Sequence, residues 1–153
     1  MPTTFSDLGV AADVIDLLSR QGIAEPFPIQ TATLADALAG RDVCGRAPTG
    51  SGKTLAFGIP LASRVAKARP GRPRALVLVP TRELGAQVAK ELAPLAALRG
   101  RTVTVFYGGV GYGPQLAALR KGPDIAVACP GRLADLVARR AIRLDDVDHV
   151  VVD

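Results

Sequence analysis

Cysteine is scarce in this chain. Cys44 and Cys129 are its only two cysteines in 153 residues, and neither belongs to a Cys-x-x-Cys pair. Such a pair supports neither a disulfide framework nor a cysteine metal site, so both are expected to be small buried apolar residues in strands. Long apolar runs are also missing, which excludes a membrane-spanning helix. Met1–Asp7 lacks the basic and apolar regions of a secretory leader, so the expected compartment is the cytoplasm. There is no internal repeat and no low-complexity linker. Charge is not clustered either: the net charge is +5 and the pI about 9.8, spread along the chain. That balance favours an anionic partner, nucleic acid first, without locating it. What remains is globular in composition, with 48% apolar and 22% charged residues, and long enough for one domain with a real core.

The most informative stretch is Ala47-Pro48-Thr49-Gly50-Ser51-Gly52-Lys53-Thr54. Asp42–Arg46 upstream reads as a short strand, and Leu55–Ile59 downstream as a helix that Pro60 kinks or ends. Glycines and small hydroxyl residues let the backbone between them curl so that successive N–H groups point inward. At a helix N-terminus that curl is an anion site. Lys53 adds charge for the β- and γ-phosphates of a nucleotide, and the Thr54 hydroxyl is suited to Mg²⁺. Ala47 stands where the phosphate-loop pattern G-x-x-x-x-G-K-[ST] has glycine, so the strict pattern fails at one position.

A helix is expected before residue 22, with Val14, Ile15, Leu17 and Leu18 on its apolar face and Gly22 as its stop. Pro26 and Pro28 then stiffen the connection to a second helix that buries Ile29, Leu34 and Leu38 and ends at Gly40. Beyond residue 42, apolar runs of strand length at 75–79, 102–106, 124–128 and 148–152 alternate with helical segments near 53–67, 82–98, 112–120 and 131–139. Near-continuous Val, Leu and Ile runs separated by helices indicate an α/β fold, a mostly parallel sheet with helices on both faces. Ligands of such sheets gather at the C-terminal ends of the strands. Pro80-Thr81-Arg82-Glu83, Gly108-Gly109, Cys129-Pro130-Gly131-Arg132 and Asp153 fall there. The basic stretch 67–74 reads as an exposed connection rather than a dedicated binding site.

In their order, these stretches resemble the first RecA-like domain of DEAD-box ATP-dependent RNA helicases, from Phe5 to the last residue. Gly22–Gln30 is similar to the family's Q motif, and Phe5 stands at its isolated upstream aromatic. Ala47–Thr54 is similar to motif I, whose first position is commonly Ala. Pro80–Leu84 resembles motif Ia, Gly108-Gly109 the glycine doublet, Pro130-Gly131-Arg132 motif Ib, and Val150–Asp153 the approach to motif II with its first Asp. The resemblance implies a P-loop NTPase fold in two parts, a helical lead-in over residues 1–40 and a partial RecA-like ATP-binding domain over 41–153.

It also implies roles. Ile23, Gln30, Ala47, Thr49, Gly50, Ser51, Gly52, Lys53 and Thr54 would bind ATP. Lys53 and Asp153 would serve catalysis, and Thr54 and Asp153 would hold Mg²⁺. The Gln30 amide matches the adjacent donor and acceptor at N6 and N7 of adenine, although alone it would read as a polar residue at a helix start. Pro80, Thr81, Arg82, Gly108, Gly109, Pro130, Gly131 and Arg132 would track an RNA backbone with little sequence preference. Taken singly, Gly108-Gly109 is only a turn, Asp153 a strand-ending residue, and Arg82 or Arg132 a partner for Glu83 or Asp135.

Two residues depart from the family. Ile23 replaces an aromatic that stacks on adenine, and Cys129 replaces a Thr in motif Ib. By the resemblance, the catalytic Glu, the Ser-Ala-Thr motif and a second RecA-like domain follow in the full-length chain. Residues 1–153 alone are then expected to hold ATP–Mg²⁺ weakly and neither to hydrolyse ATP usefully nor to unwind RNA. If the last strand belongs at the centre of the sheet, it leaves an uncovered apolar edge. The alternatives are a non-catalytic RNA-binding module with a vestigial nucleotide site, or another superfamily-two nucleic-acid-dependent ATPase such as a DNA helicase. A nucleotide kinase would need a lid and an acceptor site that the sequence does not offer.

Overall fold

The computed structural model describes residues 3–153. It divides into two compact units, one running to Arg64 and one from Val65 to Asp153. The first holds three helices: α1 (Ala12–Arg20), α2 (Pro28–Leu38) and α3 (Lys53–Arg64). Helix α1 buries Val14 and Leu18 and half-buries Ile15 and Leu17. It ends where Gly22 turns left-handed (φ 80°). There the Gly22 and Ile23 amides return to the carbonyls of Ser19 and Leu18, a Schellman stop that a residue with a Cβ adopts only under strain. Pro28, whose missing N–H costs nothing in the first turn, opens α2. Phe5 is fully packed, 2% exposed, in the same unit.

Three expectations are corrected here. Residues 42–46 form no strand: Val43 and Cys44 are exposed, and the stretch pairs with no strand among the described residues. An isolated extended segment has no ladder partner, so its sequence pattern does not suffice. Neither cysteine is buried in a strand: Cys44 is exposed, and Cys129, only partly covered, caps a helix. Pro60 does not end α3, which runs on to Arg64. A proline removes one N–H and strains one turn, and here the buried apolar flank of the helix outweighs that.

The second unit is a four-stranded parallel sheet in the order β2-β3-β1-β4. The strands are β1 (Ala75–Leu78), β2 (Val103–Phe106), β3 (Ile125–Ala128) and β4 (His149–Val152), each within a residue or so of the expected run. Helices α4 (Arg82–Ala97), α5 (Tyr112–Arg120) and α6 (Pro130–Ala138) return the chain between them. Alternation sorts the side chains. Leu76, Phe106, Ala126 and Ala128 point to one face, where Leu119 of α5 and Leu133 and Leu136 of α6 bury them. On the other face α4 packs on β2 and β3. Gly85 lets it approach closely: a Cβ there would lie 3.2 Å from Val105 Cγ1 and 3.3 Å from Val79 Cγ2. Strand β4 forms one edge of the sheet, with Val150 and Val152 60% and 78% exposed.

At the N-terminal ends of the strands the basic stretch 67–74 is neutralised rather than displayed. Arg69 and Arg72 pair with Asp146, and Arg74 with Asp148. The Arg69 hydrogen bond holds the Asp146 carboxyl below its ordinary value; burial opposes it, and the charges of Arg69, Arg72 and Arg74 add to the lowering. Burial alone would raise Asp148, but the hydrogen bonds and charges of Arg74 and His149 together outweigh it, and the net direction is also down. A carboxyl whose folded value is depressed stabilises the fold above its unfolded value, about 3.9, and loses that contribution as pH falls through the folded value. Stability is therefore expected to be level from neutral pH to about 5 and to decline below about 4. Denaturant titrations at pH 7 and pH 3 should show a smaller decline in Asp146→Asn than in the wild type. An equal decline would remove this pair from the acid response.

Candidate functional site

In the first unit the loop 47–54 runs into α3. Gly50 (φ 80°) and Gly52 (φ 83°) are both left-handed, and the Ser51 amide closes a turn on the Pro48 carbonyl. Alternating left-handed and ordinary residues aim successive N–H groups to one side, and Lys53 and Thr54 open a helix whose first amides have no intrahelical acceptor. Thr49 and Gly50 are exposed, while Ala47, Ser51, Gly52, Lys53 and Thr54 are half-buried. The Ser51 hydroxyl is buried without any hydrogen-bond partner. An orphaned donor inside a cradle of N–H groups fits a phosphate, an acceptor with several oxygens.

Gln30 is fully buried beside this loop. Its Oε1 accepts from the Phe27 amide at 3.0 Å, and its Nε2 donates to the Gly52 carbonyl at 3.1 Å. The residue expected to read adenine and the loop expected to hold phosphate are thus joined by a direct hydrogen bond. Phe27, 47% exposed, rests its ring near Gly52. Ile23 is half-buried. A Cβ on Gly52 would lie 2.5 Å from Gln30 Nε2 and 2.9 Å from Phe27 Cδ2, on a left-handed backbone. Gly52→Ala should therefore cost about 1–2 kcal/mol in backbone strain alone and weaken nucleotide binding at least tenfold or so. Calorimetric titration with ATP checks this, and an unchanged Kd would remove the loop from the nucleotide site.

In the second unit the C-terminal ends of four parallel strands share one edge. Pro80, Thr81 and Arg82 follow β1, Gly108 and Gly109 follow β2, Pro130, Gly131 and Arg132 follow β3, and Asp153 follows β4. The Asp153 amide is held by the Leu78 carbonyl at 2.9 Å. The Thr81 hydroxyl caps α4 through the Leu84 amide at 3.2 Å. Arg82 does not pair with Glu83; it lies over the Tyr107 ring, 4.9 Å from its centroid. Arg132 does not pair with Asp135. It donates to Gln115 Oε1 at 3.3 Å and to the Val110 carbonyl at 3.0 Å, and stacks on Tyr112 at 4.1 Å. Asp135 instead receives the Tyr112 hydroxyl. Glycines 108, 109 and 131 are exposed with nothing crowding Gly108 or Gly131. A polymer backbone can approach them.

Cys129 occupies the N-cap of α6 with no side-chain cap bond. Burial pushes its thiol up, and the nearby Glu83 carboxylate adds to that. It stays a neutral thiol and supplies none of the hydroxyl chemistry that Thr would. Sequence reasoning missed Phe27, Tyr107, Tyr112 and Gln115. Their only signal was aromatic residues flanking the motifs and a lone amide on a helix. Among the described residues no cluster of His, Cys, Asp or Glu is arranged to hold a metal alone. Among the described residues no helix is long and apolar enough to cross a membrane.

A family model described as DEAD/DEAH box helicase matches residues 27–153. The chain is 43% identical over its whole length to DEAD-box ATP-dependent RNA helicase CshA of Bacillus subtilis, covering 31% of that protein. It is 46% identical to the mitochondrial DEAD-box ATP-dependent RNA helicase 9 of Arabidopsis thaliana, over 97% of the chain and 25% of that protein. Among solved structures it superposes on the RNA helicase Prp28 of Chaetomium thermophilum bound to ADP with a TM-score of 0.89. That match has 40% identity over 99% of this chain and 38% of the other. The chain thus spans roughly a fifth to a third of the curated relatives it matches.

Proposed function

The chain belongs to the DEAD/DEAH box helicase family, with an α/β RecA-like fold, and on that premise we propose that it is the ATP- and RNA-holding part of an RNA-dependent ATPase that separates short duplexes. The observation that carries the nucleotide half is the left-handed glycine loop with its orphaned Ser51 hydroxyl, bonded through Gly52 to the buried Gln30 amide. The ADP bound to the structural relative supports the same reading.

In this proposal Gln30 selects adenine with the lone pair and N–H left over from its two internal bonds, which nucleotide binding has to uncover, since the side chain is fully buried in the free chain. The amides of residues 50–54 and the Lys53 ammonium hold the phosphates, and Ser51 donates to one of their oxygens. Thr54 supplies a hydroxyl and Asp153 a carboxylate, both hard oxygen donors suited to Mg²⁺. Mg²⁺, when bound, supplies positive charge against phosphate oxygens. Thr81, Arg82, Gly108, Gly109, Gly131 and Arg132 hold one RNA strand by its sugar-phosphate chain, positioning it without reading bases. A second RecA-like domain of the full-length chain closes over ATP and RNA together, which bends the strand and parts the duplex. Cytoplasmic residence, expected from the sequence, stays part of this proposal.

The test uses the intact protein that carries this chain. ATP hydrolysis is measured with and without single-stranded RNA, and with GTP in place of ATP. Hydrolysis should be slow alone, rise with RNA, and fail with GTP. Hydrolysis indifferent to RNA overturns the RNA half of the reading, and equal use of GTP overturns the role of Gln30.

A further inference from the structure

We propose that Gln115, a residue outside every recognised motif, is the positioning residue that locks the glycine loop 107–111 into its RNA-holding shape before RNA arrives. The inference rests on the RNA-holding reading above. Gln115 lies on α5 and is 6% exposed. Its Nε2 donates to the Tyr107 carbonyl at 2.9 Å, at the start of the loop. Its Oε1 accepts from Arg132 Nη1 at 3.3 Å, and Arg132 Nη2 donates to the Val110 carbonyl at 3.0 Å, near the loop's end. One buried amide thus ties both ends of a loop that contains Gly108, Gly109 and Gly111.

The same amide joins the three stretches of this edge. The Tyr107 ring, whose backbone Gln115 holds, carries the Arg82 guanidinium from the start of α4. Arg132, whose side chain Gln115 orients, comes from the first turn of α6 and is further held over Tyr112. A glycine-rich loop has much conformational freedom to lose on binding. A loop already held loses less, and binds more tightly for the same contacts. Gln115 reaches no open surface from which to touch RNA. Its effect passes through the Tyr107 and Val110 carbonyls and through Arg132.

The experiment compares the intact wild-type protein with Gln115→Met, which keeps the buried bulk and removes both hydrogen bonds, and Gln115→Glu, which keeps the acceptor for Arg132 but cannot donate to Tyr107. Two quantities are read: hydrogen exchange of the 107–111 amides without RNA, and the RNA concentration giving half-maximal ATP hydrolysis. In Gln115→Met, loop exchange should rise at least several-fold while the β-strand amides keep their protection. Half-saturation should move to about tenfold more RNA, the scale of two lost hydrogen bonds, with kcat at saturating RNA within about twofold. Gln115→Glu should loosen the Tyr107 end and give an intermediate shift.

Unchanged loop exchange in a folded variant overturns the lock. So does exchange that rises equally throughout the unit, which is the mark of a merely structural residue. Should Gln115→Met not accumulate as folded protein, Gln115→Glu decides by the same two measurements. If the wild type itself shows no RNA stimulation, the helicase reading fails, while the exchange measurement still decides whether Gln115 holds the loop.

Discussion

Lys53→Ala in the intact protein is expected to abolish ATP-dependent duplex separation and to lower RNA-stimulated ATP hydrolysis by roughly two orders of magnitude or more, the scale seen when one preorganised charge-stabilising group is removed from a site. Lys53 is the first residue of α3 and follows the left-handed Gly52. Its backbone amide belongs to the first turn of the helix, and its side chain brings a positive charge to the end where the helix dipole is already positive. The amides can still cradle phosphate in the variant, so nucleotide binding should weaken less than hydrolysis fails. Lys53→Arg should not restore activity fully, because a planar guanidinium does not replace a compact ammonium in a tight loop. Lys53 is only half-buried, so melting should be little changed, which separates lost chemistry from lost fold. Duplex separation that survives Lys53→Ala would falsify the assignment of this loop.

Asp124→Ala is expected to produce the largest loss of stability of any single substitution considered. Asp124 precedes β3 with its side chain fully buried. Its Oδ1 accepts from the Ala68 amide at 2.6 Å and its Oδ2 from the Thr102 amide at 2.9 Å. Its own carbonyl accepts from Arg74 and Ala75 at the start of β1. The residue therefore knots the entries of β1, β2 and β3 at the sheet edge away from the candidate site. Lys67 stands 3.9 Å away and is 65% exposed, so it adds little beside the backbone donors.

Truncation leaves two backbone N–H groups without acceptors, at a cost of about 3–5 kcal/mol for breaking such a buried set. Against a total stability on the order of 5–15 kcal/mol, that is a large fraction. Asp124→Asn, which turns one acceptor into a donor facing another donor, should cost about 1–3 kcal/mol. Denaturant unfolding of both variants measures this. An Ala variant as stable as the wild type would show that water replaces the carboxylate.

Much of the site was legible in the chain because its chemistry is local. The loop 47–54 needs glycines, a lysine and a helix in fixed order, and adjacent residues deliver them. The strand and helix runs were equally legible, since buried parallel strands must be apolar along their length. Residues 42–46 misled for the converse reason: an apolar pattern states that a segment can pair, but not that a partner is present. Asp124 and Gln115 were invisible as hinges of the structure. Each acts on backbone groups tens of residues away or around a loop, and no spacing rule encodes that.

The sequence by itself determined the order of helices and strands, the family, and which residue types stand where nucleotide, metal and RNA are expected, because these follow from periodicity and from short runs of the chain. Only the tertiary structure decided where the polar side chains spend their hydrogen bonds. It gave Arg132 hydrogen bonds to Gln115 and the Val110 carbonyl rather than a partner in Asp135. It placed Arg82 over Tyr107 rather than beside Glu83, and it bound Gln30 to the loop it serves. Composition supplies donors and acceptors, but burial forces each to find a partner, and which partner lies within about 3 Å depends on the packing of elements distant in the chain.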